Sequence, residues 1–568
     1  MILEWFRGRL ATVNALPQLA FLGVLTGLIT AVVILSFRYT IDASLAYFLD
    51  GDVENFEGLS IAARIASIML GAGLLALLLH RYGPSVRRVG VVHVMERLSL
   101  HQGYLPFKTA AIQFFGGAIA LISGQSGGRE GPAIHIGATA ASLLGQKAKL
   151  PNNSMRTLVA CGTAAAIASS FDTPIAGVIF AMEVVMMEYT IASFIPVIVA
   201  AVTSTFITQY FYGNEPAFTV TALQMNSYLE IPYLILGGVI IGCIAAAYIQ
   251  MIQAFARLSN LTFWFRMMIA GAITASVAAF VPQVMGVGYD SVNEIMLAQT
   301  TLGLMLLVLV AKAVTSAASV GLGMPVGLIG PTLLMGATVG GIFASLVSSQ
   351  GADISAGLYV MLGMSAMMGA VLQAPLAALM TVVEMTANTN IILPAMLIIV
   401  VATMVVSQVF KQRSVFIATL NTLGLQYPPD PVALHLQRVG ATAIMDRSFK
   451  RLTETISRSQ AEEVLLATPN WIVVDDNEGR LRAVLNPADL AAFLEARSEE
   501  QEIGLLQLPG QRMDVTQIDS RATVMQVQQA ITDTDTEACC VTKTTAPMIS
   551  PVIGVITKSH IDNYRNTN

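Results

Sequence analysis

The residues Gly124–Pro132 read GQSGGREGP, a charged pair, Arg129 and Glu130, set among glycines between the apolar segments Thr109–Ile122 and Ala133–Leu144. An ionisable side chain at membrane depth is expensive and marks an ion pathway by default. Glycines let backbone approach a bound ion, and a helix opening after them presents unpaired N–H groups and partial positive charge. A carboxylate aimed at such a spot competes with a permeant anion for it. Once protonated it loses its charge, leaves, and admits the anion, so Glu130 can serve as gate and proton carrier together. The alternative is a structural Arg129–Glu130 ion pair, disfavoured because neighbours at a helix start face different ways.

Two other glycine-bearing breaks feed helix starts. GLGMPVGLIGP (Gly321–Pro331) precedes TLLMGATVGGIFASLV, and RRVGVV (Arg87–Val92) precedes HVMERLSL. Helix N-termini converging on one point make an anion site without a cage of lysines. The first two loops lie about 200 residues apart, as corresponding places in two repeats would, and discontinuous helices in paired halves are a common way to build a midplane site. The expected halves run over about 16–212 and 230–420.

Composition sets the medium. Only 12% of the residues are charged and mean hydropathy is +0.67, against roughly 25% charged in soluble domains. Long apolar runs such as Ala20–Ser36, Ile61–Leu79, Tyr233–Ile252 and Ile391–Val409 predict a polytopic, mostly helical membrane protein with some broken helices. Residues 1–15 lack a signal-peptide layout, and Arg7 and Arg9 favour a cytoplasmic N-terminus. The membrane part is expected over 16–425. The acidic excess falls after it.

Composition breaks at LGLQYPPDP (Leu423–Pro431), giving a linker at 426–434 and a soluble α/β tail at 435–568. There SQAEEVLLAT, WIVVDD and LRAVLNPADL are echoed by TVMQVQQAIT, ACCVTK and VIGVITKSHI, an internal repeat of helix, strand, strand, helix. The tail resembles a tandem pair of CBS domains. That resemblance implies an adenine nucleotide held through Asp489; the matching slot in the second copy is His560, which departs from the pattern. A packing and regulatory role without nucleotide is the equal alternative. Cys161, Cys243, Cys539 and Cys540 lack metal-ligand spacing, so no metal is expected.

GREGP followed by AIHIG resembles the signature of the CLC chloride channels and chloride/proton antiporters. FDTPIAGVIFAMEV (Phe171–Val184), VVEMTANTNIILP (Val382–Pro394) and Lys312 in VAKAVTS are similar to further stretches of that family. The resemblance implies a homodimer, each subunit with its own anion pore formed by two inverted halves. It assigns Glu130 as the gating glutamate, Gly128, Arg129 and Gly131 as the backbone around it, and Leu328, Ile329 and Gly330 of GLIGP as N–H donors. The family's GSGIP loop maps to RVGVV, so Val89 replaces the serine hydroxyl beside Gly90. Ile329 replaces the GxFxP phenylalanine, and Phe416 keeps the ring of the pore tyrosine without its hydroxyl. Val184 stands where antiporters carry an internal glutamate, leaving Glu183, Glu188 or His135 as substitutes, although packing accounts for the last two.

The expected function is chloride transport gated by Glu130, with proton exchange favoured and a passive gated channel, supported by Val184, as the alternative. Fluoride export fits less well with an intact GREGP. A divalent-cation transporter would need clustered acids in the spans, and an enzyme would need a catalytic constellation; the sequence offers neither. The implied setting is a cell (inner or plasma) membrane, with termini cytoplasmic, the bilayer, chloride and protons as partners, and no nucleic acid.

Overall fold

The computed structural model describes residues 15–49, 55–82, 90–214, 217–218, 225, 227–348, 355–425, 436, 439–476, 478–496, 501–543 and 551–567. Val89 and the whole 426–434 linker lie outside them. The chain divides into two compact units, one formed by Leu19–Ala148 with Met155–Pro428 and the other chiefly by residues after Pro429.

The first unit is helical. Among its described residues seven helices are long and apolar enough to cross a membrane, including Leu16–Phe48, Ile61–His80, Leu302–Gly321 and Ile329–Ser348. Shorter apolar helices, among them Phe107–Ile122, Phe263–Ala278 and Ala356–Leu372, complete the bundle. The expected helix after GREGP spans Glu130–Lys147, with Pro132 in its first turn, where the missing N–H removes no helical bond. RRVGVV likewise leads into a helix, Gly90–Leu100.

Two crossings bring backbones into contact. Gly137 of the Glu130–Lys147 helix lies on Gly162 of Asn152–Phe171, and Gly336 of Ile329–Ser348 lies on Gly363 of Ala356–Leu372; a methyl at any of the four would land on the opposing carbonyl oxygen. In lipid, where apolar surface alone gives helices little reason to associate, such small-residue contacts supply the packing. The second crossing repeats the first in the other half. The same repetition places Asp172 (φ 57°) and Gln373 (φ 50°) before the short helices Pro174–Phe180 and Pro375–Thr386, each opened by proline.

The second unit is α/β. Strands β1 (Phe449–Thr453), β2 (Thr455–Ser457), β3 (Trp471–Asp475), β4 (Leu481–Leu485), β5 (Glu502–Gly504), β6 (Arg512–Asp519), β7 (Ala538–Thr542) and β8 (Val552–Thr557) form a six-stranded sheet of order β1-β3-β4-β6-β7-β8 and a β2-β5 pair. Each copy of the repeat pairs one strand in parallel across a helix, β1 with β3 and β6 with β7, then adds an antiparallel neighbour. The crossover helices Arg458–Leu466 and Val524–Asp533 start with the same device, a capping box, Ser457 with Gln460 and Thr523 with Gln526, which satisfies two orphan N–H groups at once. Period-two alternation sends Ile472 and Val474 to one core and Val473, with Val484, Ala538, Cys540 and Val555, to a core shared by both copies. Cys539 and Cys540 are both fully buried there and in the adjoining core.

Candidate functional site

Glycines at 127, 131 and 327 let two loops meet, since a methyl at any of them would strike the opposite loop. Gly128 N–H donates to Gly327 O at 2.8 Å and Gly327 N–H to Gly128 O at 2.7 Å, an antiparallel bridge between the two halves. Thr315 Oγ1 donates to Ser126 Oγ at 2.9 Å, and Gln125 Nε2 to Ile68 O at 2.9 Å, which pins the first loop. Lys312 is fully buried, and its Nζ donates to the carbonyls of Val284 (3.1 Å) and Gly286 (2.9 Å). Gly286 O in turn receives the Gly127 N–H at 3.4 Å, so Lys312 and the glycine just before GREGP share one carbonyl.

This framework positions Glu130, which is 1% exposed. Its Oε1 accepts from the Ile329 N–H and, at 3.3 Å, from the Gly330 N–H. Those groups open the Ile329–Ser348 helix, 199 positions from Glu130 along the chain. A carboxylate thus occupies the N-terminus of the equivalent helix of the other half, where backbone donors and the helix dipole suit an anion. Gly128 and Gly327 are the two positions where an added methyl would collide with the carboxylate itself. Oε2 has no hydrogen-bond partner.

A cavity of about 400 Å³ opens beside this carboxylate. Of the sequence-designated residues, Gly90, Glu130, Gly131, Leu328, Ile329 and Phe416 line it. Gly128 and Gly330 adjoin the carboxylate without bordering the cavity. Phe416 is held in the Val415–Thr422 helix, capped by Ser414, with its ring edge-on to Phe180 at 6.4 Å. Arg129 does not turn toward Glu130: its guanidinium lies 5.3 Å from the Phe171 ring centroid and borders a separate cavity of about 30 Å³ with Asp42 and Phe56.

Glu183 does not reach the cavity. Its carboxylate accepts from the N–H groups of Leu376 (3.4 Å) and Ala377 (2.8 Å), at the start of Pro375–Thr386. Glu384 returns the arrangement, accepting from Ile175 (2.9 Å) and Ala176 (2.7 Å) at the start of Pro174–Phe180. One helix start therefore occupies both oxygens of Glu183, which caps Pro375–Thr386 as Glu384 caps Pro174–Phe180. Val184 is buried in the core away from the cavity, and Glu188 is buried outside its lining.

The structure adds residues that the motifs did not single out. His93 and Glu96 line the cavity from the Gly90–Leu100 helix, and Arg266 from Phe263–Ala278. The signal for the first two was their i, i+3 spacing after a glycine-led helix start. His135 is fully buried against His93. In the second unit, Asp489 is half-buried in the first turn of Pro487–Ala496, against Gly510. His560 accepts the Thr557 N–H at 3.2 Å, closing the start of Lys558–Thr567. Among the described residues no group of three or more His, Cys, Asp or Glu is placed to hold a metal ion.

Comparison with known proteins follows the same lines. The family described as "Voltage gated chloride channel" matches residues 70–407. A putative chloride channel protein, ClcB-like, from Ralstonia nicotianae is 33% identical over 57% of this chain and 78% of its own. The H(+)/Cl(-) exchange transporter ClcA of Vibrio parahaemolyticus is 23% identical over 72% of this chain and 89% of its own. The crystal structure of a eukaryotic CLC transporter, 17% identical, superposes with a TM-score of 0.58 over 99% of each chain, a likeness of fold that takes in the second unit.

Proposed function

This chain belongs to the voltage-gated chloride channel family, and we propose that it exchanges chloride for protons across a cell membrane, with Glu130 as the group that alternately takes the proton and yields its place to the anion. One observation carries the reading. The Glu130 carboxylate sits on the Ile329 and Gly330 N–H groups at a helix N-terminus, a position fit for a chloride ion, and beside a cavity able to hold water and ions. Protonation cancels the charge that holds it there. The name of the Vibrio relative, an exchange transporter, supports the same direction. The chain is a multi-pass membrane protein of the transporter type, and no enzymatic role is assigned to it.

The second reading is a passive gated channel. Val184 at the internal acid position and the engagement of both Glu183 oxygens by one helix start favour it. Purified protein in liposomes under a chloride gradient, with chloride and proton movements recorded together, separates the two. Exchange requires uphill proton uptake driven by chloride. Robust chloride flux without proton movement establishes the channel. Glu130→Gln is expected to abolish both proton coupling and the pH dependence of chloride flux; pH dependence retained in that variant rejects the gate.

The organisation proposed around this pore is a homodimer with cytoplasmic termini, and the α/β unit is read as a CBS pair. Its repeated strand–helix order supports that reading. An adenine nucleotide at Asp489 is proposed with it, the check being calorimetric titration of ATP into the full-length protein and its Asp489→Ala variant. Equal binding by both rejects Asp489 as the ligand.

A further inference from the structure

Two imidazoles meet inside the membrane unit at the wall of the cavity. His93 Nδ1 lies 2.8 Å from His135 Nε2, with the rings stacked at 5.0 Å between centroids and 14° between planes. His93 is 3% exposed and His135 is fully buried. His93 borders the same cavity as Glu96 and Glu130. A neutral imidazole offers one donor and one acceptor, so at this direct nitrogen–nitrogen contact one ring donates and the other accepts. When one further proton enters, the N–H between the rings becomes a charge-assisted bond, and His135 helps carry the charge. Two protons would set like charges in contact. The pair is therefore built to hold one extra proton or none, and imidazole is the side chain whose unperturbed titration falls nearest neutrality.

The charged and titratable groups around it fit a proton in transit. On the Gly90–Leu100 helix these are Glu96 and Arg97, with His101 just beyond; on Glu130–Lys147 they are Glu130 and Lys147. Among the packed neighbours, Phe107–Ile122 contributes Lys108, the turn Ala181–Met186 contributes Glu183, Asn152–Phe171 contributes Arg156, Leu16–Phe48 contributes Arg38 and Asp42, and Val415–Thr422 contributes none. Arg156 is committed to the Leu98 carbonyl at 2.9 Å and Glu183 to its helix start. The acids on the cavity itself are Glu96 and Glu130.

We propose that His93, backed by His135, is the group that passes protons between water in the cavity and Glu130. The proposal rests on the reading that Glu130 exchanges a proton. A hydronium ion in the cavity gives a proton to His93: an O–H bond breaks, an N–H bond forms at Nε2, and the pair becomes singly charged. That N–H then breaks as an O–H forms on Glu130 Oε2 across a cavity water, leaving the pair neutral and the carboxyl uncharged. Oε2 is the oxygen without a hydrogen-bond partner, while Oε1 faces the Ile329 and Gly330 N–H groups. The relay supplies a route that neither Val184 nor Glu183 provides.

The test is the number of protons moved per chloride in liposomes containing full-length protein. His93→Gln keeps a polar side chain of similar reach and cannot titrate; it is expected to lower the ratio at least ~tenfold, a modest share of the roughly 10²–10⁴-fold that a positioned proton donor contributes. His93→Glu restores a titratable group and is expected to recover much of the ratio, which a purely structural role would not produce. His135→Asn is expected to lower the ratio less than His93→Gln and provides an independent variant should His93→Gln fail to fold. A wild-type ratio in either His93→Gln or His135→Asn overturns the relay, as does a His93→Glu protein no better coupled than His93→Gln. If the wild-type protein moves chloride and no protons, the exchange reading falls and takes the relay with it. If the wild type exchanges and the variants exchange equally, the relay alone falls.

Discussion

At the scale of single residues, the site is decided by where a carboxylate finds its donors. Buried N–H groups left unsatisfied cost about 1–3 kcal/mol each, so Ile329 and Gly330 need an acceptor, and Glu130 is the one present. The glycines opposite make room for it. Gly128→Ala places a methyl on the carboxylate and should displace it, giving chloride flux that stays high at pH values where the wild type slows; liposome flux across pH checks this. Wild-type pH dependence in Gly128→Ala would mean the carboxylate is not where the flux is controlled. Glu130 was legible from sequence because its whole context, GREGP and the helix after it, is local. His93 and Glu96 were not, since an ordinary histidine and glutamate on a short helix reach a cavity only once that helix is aimed.

At the scale of elements, helix starts recur as the places where charge is satisfied. Glu130 caps the start of Ile329–Ser348, Glu183 that of Pro375–Thr386, and Glu384 that of Pro174–Phe180. In each case an acid from one half meets a helix N-terminus of the other. The sequence displayed the glycine loops and the proline-led helices of both halves, yet not which acid would cap which start, because these partners lie some 200 residues apart and no spacing rule links them. The outcome separates two kinds of buried acid. Glu183→Gln and Glu384→Gln keep shape and lose charge, so each should lower the thermal stability of the detergent-solubilised protein by about 1–2 kcal/mol while the proton-to-chloride ratio stays that of the wild type. A collapsed ratio in Glu183→Gln would return that residue to the proton route.

At the scale of the whole molecule, two units with separate cores need not unfold together, and acid should act first where carboxylates are held ionised by hydrogen bonds and neighbouring charge. Asp476 in the α/β unit is such a group. The Arg480 N–H (2.8 Å) above all, then the Glu478 N–H (2.9 Å) and the charges of Arg482 and Arg480, hold its carboxyl below the usual carboxylate range against an opposing effect of burial. A carboxyl with a depressed folded pKa contributes stability that is complete above its unfolded pKa of roughly 3.9 and is lost as pH falls through the folded value. Asp476→Asn should therefore narrow the stability difference between neutral and acidic pH, followed through Trp471 fluorescence in the full chain; an unchanged pH profile would count against it. The α/β unit was readable as a repeat because each copy carries its own strand and helix pattern. The joining of both copies through the β4–β6 pair was not, because edge pairing leaves little trace in composition.

The reciprocal bridge between Gly128 and Gly327 has a mechanical side. With the carboxylate seated, two halves of one chain are stitched at their seam by main chain and by Glu130 together. On the proposed exchange, when Glu130 swings out only the backbone stitches remain, and the Ile329 and Gly330 donors stand bare until an anion arrives to take the vacated place. Cargo and gate are then interchangeable rivets for the same joint. The seam is weakest when it holds neither, so the protein has a structural reason, apart from any chemistry of permeation, to spend little time empty.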